Sequence, residues 1–412
     1  MNKETGGCNG LSRGYETGSD RKGGRPLQIT LFGPSTRFLS GITYFTIRLA
    51  NALSGVAGVD ALLFRHMLPL RLFPGWRRVG KSLTRERFRT EVRVHELMDW
   101  YNPVSWMRAF RVARRSDALI IPWWTSSVAH MYLFLQLLNG WRRFSVIEFH
   151  EPVDPLEDAS FPLRIYSRIT GRLVRWLADG FVTHTRYDRD LIVRRYHIPE
   201  GEIDLIPHGL YDQYERIDQQ TARGALGIRE EYVILFFGLL RRFKGVRFLI
   251  EGFEMLPDEI RSRSRLCIVG EAWEDRESVE RARASSDSDR ITVVDRYISD
   301  DEVALYYSAS DVFAGPYTRE SHDPCAVCHI AMSYGQPVVA SHTGGIKESL
   351  GSYKGVFFVP PEEPSAIAGA LAEVYKVRGR RYPVPEELRW DRIAEQWKIL
   401  LEKGIAEKKR VE

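Results

Sequence analysis

The sequence predicts an α/β protein built of two doubly wound domains that face one another across a cleft. Three observations carry that prediction. The 412 residues exceed one ordinary core and suit two domains of roughly 150–200 residues each. Short apolar runs bounded by glycine or proline alternate with helical patterns, and the series occurs twice. The runs are apolar throughout rather than alternating, as strands of a parallel sheet covered on both faces are.

The elements follow in order. Residues 1–26 are rich in glycine, serine and charge, and read as a disordered tail. The first domain occupies residues 27–206. It opens with the strand Leu27–Gly33, followed by a helix with Ile42, Phe45, Leu49 and Leu53 at helical spacing. VDALLFR, SDALIIPWW, FSVIEFH and DGFVTHT supply further strands, with a long helix near Leu163–Ala178. Residues 207–230 have little apolar periodicity and read as a linker. The second domain, residues 231–380, runs through EYVILFFG, RLCIVG, RITVVDRY, SDVFAGP, QPVVAS and GVFFVP. Residues 381–412 form a closing segment with an apolar helical stripe of Leu388, Trp390, Ile393, Trp397 and Leu400 over Pro385–Lys403.

Composition excludes several classes. A hydrophobic fraction of 44% with 27% charged residues is not that of a disordered or fibrous chain. The longest apolar runs, such as Asp117–Trp124, fall far short of the ~18 residues of a membrane-spanning helix. The first residues carry no signal-type apolar stretch, and four cysteines are no disulfide scaffold, so a reducing cytoplasm is expected. The net charge of +5 is too mild to point to nucleic acid, and no nucleic-acid partner is expected. Charge is uneven, however. Met67–Arg115 holds twelve arginine and lysine residues against four acids, interleaved with Leu68, Leu70, Leu72, Phe73 and Trp76. Such a mixture suits either a solvated basic face or peripheral attachment to an anionic membrane, on its inner face for a cytoplasmic protein.

In doubly wound folds a ligand lies at the carboxyl ends of the strands. Gly33 ends the first strand and Ser40–Gly41 opens the next helix, leaving backbone N–H groups open to phosphate. In the second domain FFGLLRRFKG presents Arg241, Arg242 and Lys244 after a strand, as cations for a diphosphate. A polar loop containing Glu320, His322 and Asp323 precedes a helix, and Gly344–Gly345 follow the next strand. Cys325-Ala-Val-Cys328-His329 matches the c-type haem attachment pattern, but with no export signal it reads as loop and helix-start packing. A lone CxxC lacks the second half of a zinc site, so no metal and no cofactor are expected.

Taken together, GLLRRFKG, AMSYGQPVVASHTGGIKE, VIEFHEP and LIPHG, in this order, resemble the GT-B-fold retaining glycosyltransferases of family 4. The resemblance runs from about Leu27 to Lys403 and implies two Rossmann-like domains with a C-terminal helix crossing back onto the first. It implies a nucleotide diphospho-sugar donor in the second domain and a glycan or lipid-linked acceptor in the first. His150 matches a family histidine that contacts the transferred sugar, and Glu148, Glu151 and Asp154 beside it are candidates to orient an acceptor hydroxyl. Such enzymes show no protein nucleophile; the leaving phosphate takes the acceptor proton, so no general base is assigned. By the same resemblance Gly41, Arg241, Lys244, Glu320, His322, Asp323, Gly344 and Gly345 are candidate donor-binding residues.

The chain also departs from the family pattern. The two glutamates usual before AMSYGQPVV fall on His322 and Ile330, and the arginine usual after Gly238 is Leu239, with Arg241 nearby. Isoleucine cannot accept a hydrogen bond from a ribose hydroxyl, and Pro324 lacks a backbone N–H in that loop. These departures indicate a divergent branch with rebuilt donor contacts. A catalytically silent subunit that binds a sugar nucleotide or glycan is the alternative.

Overall fold

The computed structural model describes residues 25–38, 40–69, 79–80, 84–158, 160–319 and 326–411. The tail, most of the apolar–basic start of Met67–Arg115, and Glu320, His322 and Asp323 lie outside the described residues.

The first strand series comprises β1 (Gln28–Pro34), α1 (Gly41–Leu53), β2 (Gly58–His66), β3 (Val92–Asp99) and α2 (Pro103–Ala113). It continues with β4 (Ala118–Trp123), α3 (Ala129–Asn139), β5 (Phe144–Phe149), α4 (Phe161–Trp176), β6 (Gly180–Thr183), α5 (Arg186–Tyr196) and β7 (Ile203–Leu205). These seven strands form one parallel sheet in the order β3-β2-β1-β4-β5-β6-β7. After α6 (Gln219–Leu226), the second series runs β8 (Tyr232–Phe237), α7 (Val246–Glu254), α8 (Asp258–Arg261), β9 (Ser264–Val269), α9 (Arg276–Ala284) and β10 (Ile291–Val294). It closes with α10 (Asp300–Ala309), β11 (Val312–Gly315), α11 (Ala326–Ser333), β12 (Val338–Ser341), α12 (Gly344–Leu350), β13 (Val356–Val359) and α13 (Pro364–Lys376). Its six strands are ordered β10-β9-β8-β11-β12-β13, again all parallel.

Both sheets reverse strand order beside their first strand, so each opens a crevice at its carboxyl edge. The central strands β1, β4, β5, β8 and β9 are buried almost throughout because helices cover both faces. The edge strand β3 is buried only at Val92, Met98 and Asp99, and its charged residues hide it from a search for continuous apolar runs.

Three local features differ from the sequence reading. The stretch read as a linker contains α6, which Arg223 ties to the second sheet by a 2.6 Å ion pair with buried Asp311. The predicted helix Pro385–Lys403 is a short 3-10 turn at Glu386–Leu388 followed by α14 (Trp390–Val411). Met67, where the apolar–basic segment begins, is buried in the first domain's core.

The crossing of α14 onto the first domain follows from its apolar stripe. Ile393, Trp397 and Leu401 are buried with Ile29, Leu31 and Phe45. Near its far end Lys408 donates to Asp179 at 2.7 Å. The two sheet systems also touch directly. The buried Asp300 carboxylate, in the first turn of α10, accepts from the Tyr44 hydroxyl, the Thr84 hydroxyl and the Arg85 N–H at 2.7–2.8 Å.

Candidate active site

Three neighbouring strands of the first sheet each deliver a histidine beyond their carboxyl ends: His150 after β5, His184 after β6 and His208 after β7. Their ring centroids are 5.0–5.9 Å apart. Phe45, one turn into α1, lies against all three rings at 4.8–5.6 Å. The parallel register puts the strand ends side by side, so residues remote in sequence share one floor.

Beneath them lies Glu148, on β5 and fully buried. Its Oε1 is 2.6 Å from His184 Nε2, while His184 Nδ1 faces the Ile206 carbonyl at 2.9 Å. With an acceptor at each nitrogen, His184 is arranged as an imidazolium. Burial opposes that charge, but the hydrogen bond and field of Glu148, with the Ile206 carbonyl, outweigh it and raise the His184 pKa. Burial likewise opposes the Glu148 carboxylate, and His150 and His184 outweigh it, holding the carboxyl below its usual range. His150 Nδ1 is 3.4 Å from the same Oε1, within ion-pair reach but without hydrogen-bond geometry. Thus one buried carboxylate holds two histidines, and His150, about one eighth exposed at its side chain, is the more open of the two.

His208 is different. Burial first, then the fields of His184, His150 and His329, holds it well below the usual imidazole range. The unfolded chain takes up a proton near the ordinary value of ~6.5 and the folded chain does not, so this group costs stability as pH falls below ~6.5. His208→Asn is therefore expected to lose less stability than the wild type between about pH 7 and about pH 5, by up to ~1.4 kcal/mol per pH unit. Denaturant titration at both pH values checks this; parallel losses would contradict it.

Ligand atoms of His150, His184 and His208 lie within 4.8 Å of one another. As arranged, His184 spends both nitrogens on Glu148 and Ile206. A metal ion would have to displace one of those contacts and a proton.

Across the seam, the second domain contributes the turn after β8. Gly245 has φ +65°, and a Cβ there would lie 2.0 Å from the Pro316 carbonyl oxygen, so only glycine fits. Lys244 precedes this glycine. It is buried, with its ammonium 5.5 Å from the Tyr317 ring centroid. Arg241 is more exposed, donates to Glu274 at 3.0–3.1 Å and lies over the Phe243 ring. Gly41 has open space around its Cβ position. Gly345 lies against Thr185 of the first domain, and Glu348 of the same helix accepts from the Arg186 and Tyr187 N–H groups at 2.8 and 3.2 Å. The Gly344–Gly345 turn thus stands at the seam opposite the start of α5.

Other expectations resolve as structure. Asp154 is not available to an acceptor. It is fully buried and accepts from Ser126 N–H, Leu156 N–H and the Ser167 hydroxyl at 2.6–3.0 Å. Trp123 is a core residue. His329, at the end of the CAVCH motif, is buried with its ring nitrogens 2.7 Å from the Ser349 hydroxyl and 3.2 Å from the Gly209 carbonyl. Its ring is 5.9 Å from His208, which links the histidine floor to α11 of the second domain. Ile330 is buried in the second domain's core and offers no acceptor. The sequence reading singled out His150 and assigned no role to His184 and His208, although each follows an apolar run of the same parallel sheet.

Comparison with known proteins agrees with this fold. The family described as Glycosyltransferase Family 4 matches residues 39–213, and Glycosyl transferases group 1 matches residues 231–376. The D-inositol 3-phosphate glycosyltransferase of Mycobacteroides abscessus is 26% identical over 49% of this chain and 45% of its own. The lipopolysaccharide 1,2-N-acetylglucosaminetransferase of Salmonella typhimurium is 29% identical over 37% of this chain and 41% of its own. The chain thus spans less than half the length of either relative. Among solved structures, sucrose-phosphate synthase from Thermosynechococcus elongatus has TM-score 0.65 at 19% identity, covering 92% of this chain and 99% of its own. Anabaena HepE, solved with UDP and glucose, has TM-score 0.64 at 17% identity, covering 94% and 100%. With two family matches in order across both sheets, and the two usual glutamate positions held by His322 and Ile330, the chain is a divergent member of the GT-B-fold family 4 glycosyltransferases.

Proposed function

We propose that this glycosyltransferase moves a sugar, with retention of anomeric configuration, from a nucleotide diphospho-sugar to a glycan or lipid-linked acceptor. The observation that carries the reading is His150, held by the buried Glu148 carboxylate at the seam between the sheets. A histidine so placed can contact the sugar as its bond to phosphate breaks, while Lys244 and Arg241 offer charge to the departing diphosphate. The related Anabaena HepE has been solved with UDP and with UDP-glucose, which supports a donor of that class. Glu148, in this reading, sets the orientation of His150 and takes no part as nucleophile.

Thermal shift against a panel of nucleotide-sugars identifies the donor, because a ligand bound only by the folded state raises its melting temperature. Proton NMR of the transferred sugar then reads its configuration, and an inverted product would exclude retention. Lys244→Ala and Arg241→Ala are each expected to weaken nucleoside diphosphate binding. A charge-assisted hydrogen bond is worth ~1.5–3 kcal/mol, roughly ten- to hundred-fold in affinity. Lys244 should give the larger loss, because burial protects its charge from screening more than that of the more exposed Arg241. Unchanged affinity in both variants, each folded, would remove this turn from the donor site.

A further inference from the structure

The outer face formed by α2, α3 and α4 bears an unusual surface. Of the fifteen exposed large apolar side chains among the described residues, six lie on α4: Phe161, Leu163, Ile165, Ile169, Leu173 and Trp176. Phe161, Ile165, Ile169 and Leu173 recur every four residues, so they share one outward stripe, and Arg168 and Arg172 lie alongside at the same spacing. Phe161 and Trp176, at the two ends of the helix, are each 67% exposed. Trp176 meets the half-exposed Trp141 edge to face at 5.8 Å. A scattered surface leucine needs no explanation, but a contiguous stripe of this size does.

The formal charge within these three helices has one sign. The helices α2, α3 and α4 contain six arginines and not one aspartate or glutamate. Of the neighbouring acids, buried Asp154 is engaged by Ser126 and Ser167, buried Glu157 by Arg195 and Tyr196, and Asp179 by Lys408, while Glu151 is exposed ahead of α4. The three helices are locked side by side. Trp106 of α2 meets the His130 ring of α3 at 5.4 Å, and His130 is hydrogen-bonded to Tyr166 of α4. They therefore present one rigid surface.

We propose that this face, with α4 at its centre, lies on an anionic lipid bilayer, its apolar stripe among the acyl-chain ends and its arginines on lipid phosphate. Both terms of an interfacial helix are present, apolar area and uncompensated positive charge. A second copy fits worse. A two-fold pairing of this face on itself would bring arginines against arginines with no carboxylate between them. The inference stands on the α2–α4 surface alone and does not depend on the donor assignment.

Sedimentation with vesicles tests it, comparing phosphatidylcholine alone with phosphatidylcholine carrying one third phosphatidylglycerol. The full chain is expected to sediment with the anionic vesicles at low salt and to be partly released by raised salt. Arg168→Ser with Arg172→Ser should lower partitioning about thirty-fold, the loss of two basic residues at an anionic surface. Ile165→Ser with Ile169→Ser should abolish the fraction that resists salt, and Ile399→Ser, an exposed apolar control on α14, should change nothing. Melting temperature confirms that each variant folds; where the isoleucine pair does not, Trp176→Ser takes its place. No binding to anionic vesicles at low salt, or binding that the α4 variants leave unchanged, would overturn the proposal. So would a dimer in gel filtration that the isoleucine variant makes monomeric, since the face would then be an interface between copies.

Discussion

Replacing His150 with alanine is expected to lower turnover by ~10²–10³-fold, the usual effect of removing one group that stabilises a transition state. Nucleoside diphosphate affinity should stay close to that of the wild type. The split follows from position. His150 stands on the first sheet beside Glu148, whereas Lys244 and Arg241 stand on the turn after β8 of the second. A side chain that meets the sugar in the reacting complex contributes to turnover more than to ground-state binding. Steady-state kinetics with calorimetric nucleotide binding separates the two. A parallel fall in turnover, affinity and melting temperature would mean that His150 is a structural histidine.

Glu148→Ala is expected to cost ~3–5 kcal/mol of stability, because it leaves His184 buried beside the Ile206 carbonyl without its counter-charge. The pH dependence identifies the cause. The raised His184 pKa contributes stability that is complete below the unfolded value of ~6.5 and is lost as pH rises through the folded value. The depressed Glu148 pKa contributes stability that is present above ~4.3 and is lost as pH falls through the folded value. The deficit of Glu148→Ala should therefore be widest between those limits and narrow toward alkaline pH. Glu148→Gln, which keeps an acceptor oxygen but no charge, should fall between. Denaturant titration from about pH 6 to about pH 9 reads this, and a deficit independent of pH would show that packing, not the ion pair, is lost.

Much of the fold was legible because strands buried on both faces must be apolar throughout. LQITLFG, FSVIEFH and EYVILFFG could be read as strands without knowledge of their partners. The strand β3 escaped because this edge strand is buried only at its ends, and RVHE within it looks like part of a charged loop. Helix α6 escaped because eight residues with one buried arginine carry little periodicity. At the site, His150 was visible through its place after a strand and through family resemblance. The partners that decide its chemistry were not. His184 and His208 are joined to it only by the lateral order β5-β6-β7, and Glu148 only by facing inward from a strand. Pairings of that kind are long-range, and no spacing in one sequence encodes them. The exposed stripe of α4 was not legible for the same reason: its period is helical, but periodicity alone does not tell which side of an amphipathic helix faces the sheet.

The most direct test of the account is release of nucleoside diphosphate from a panel of nucleotide-sugars, each with a lipid or glycan acceptor and with EDTA present. The account predicts release from at least one donor, dependent on acceptor and undiminished by EDTA, since its charge stabilisation comes from Lys244 and Arg241. Binding of a nucleotide-sugar with no release from any donor, or release that stops with EDTA and returns with Mg²⁺ or Mn²⁺, would contradict it.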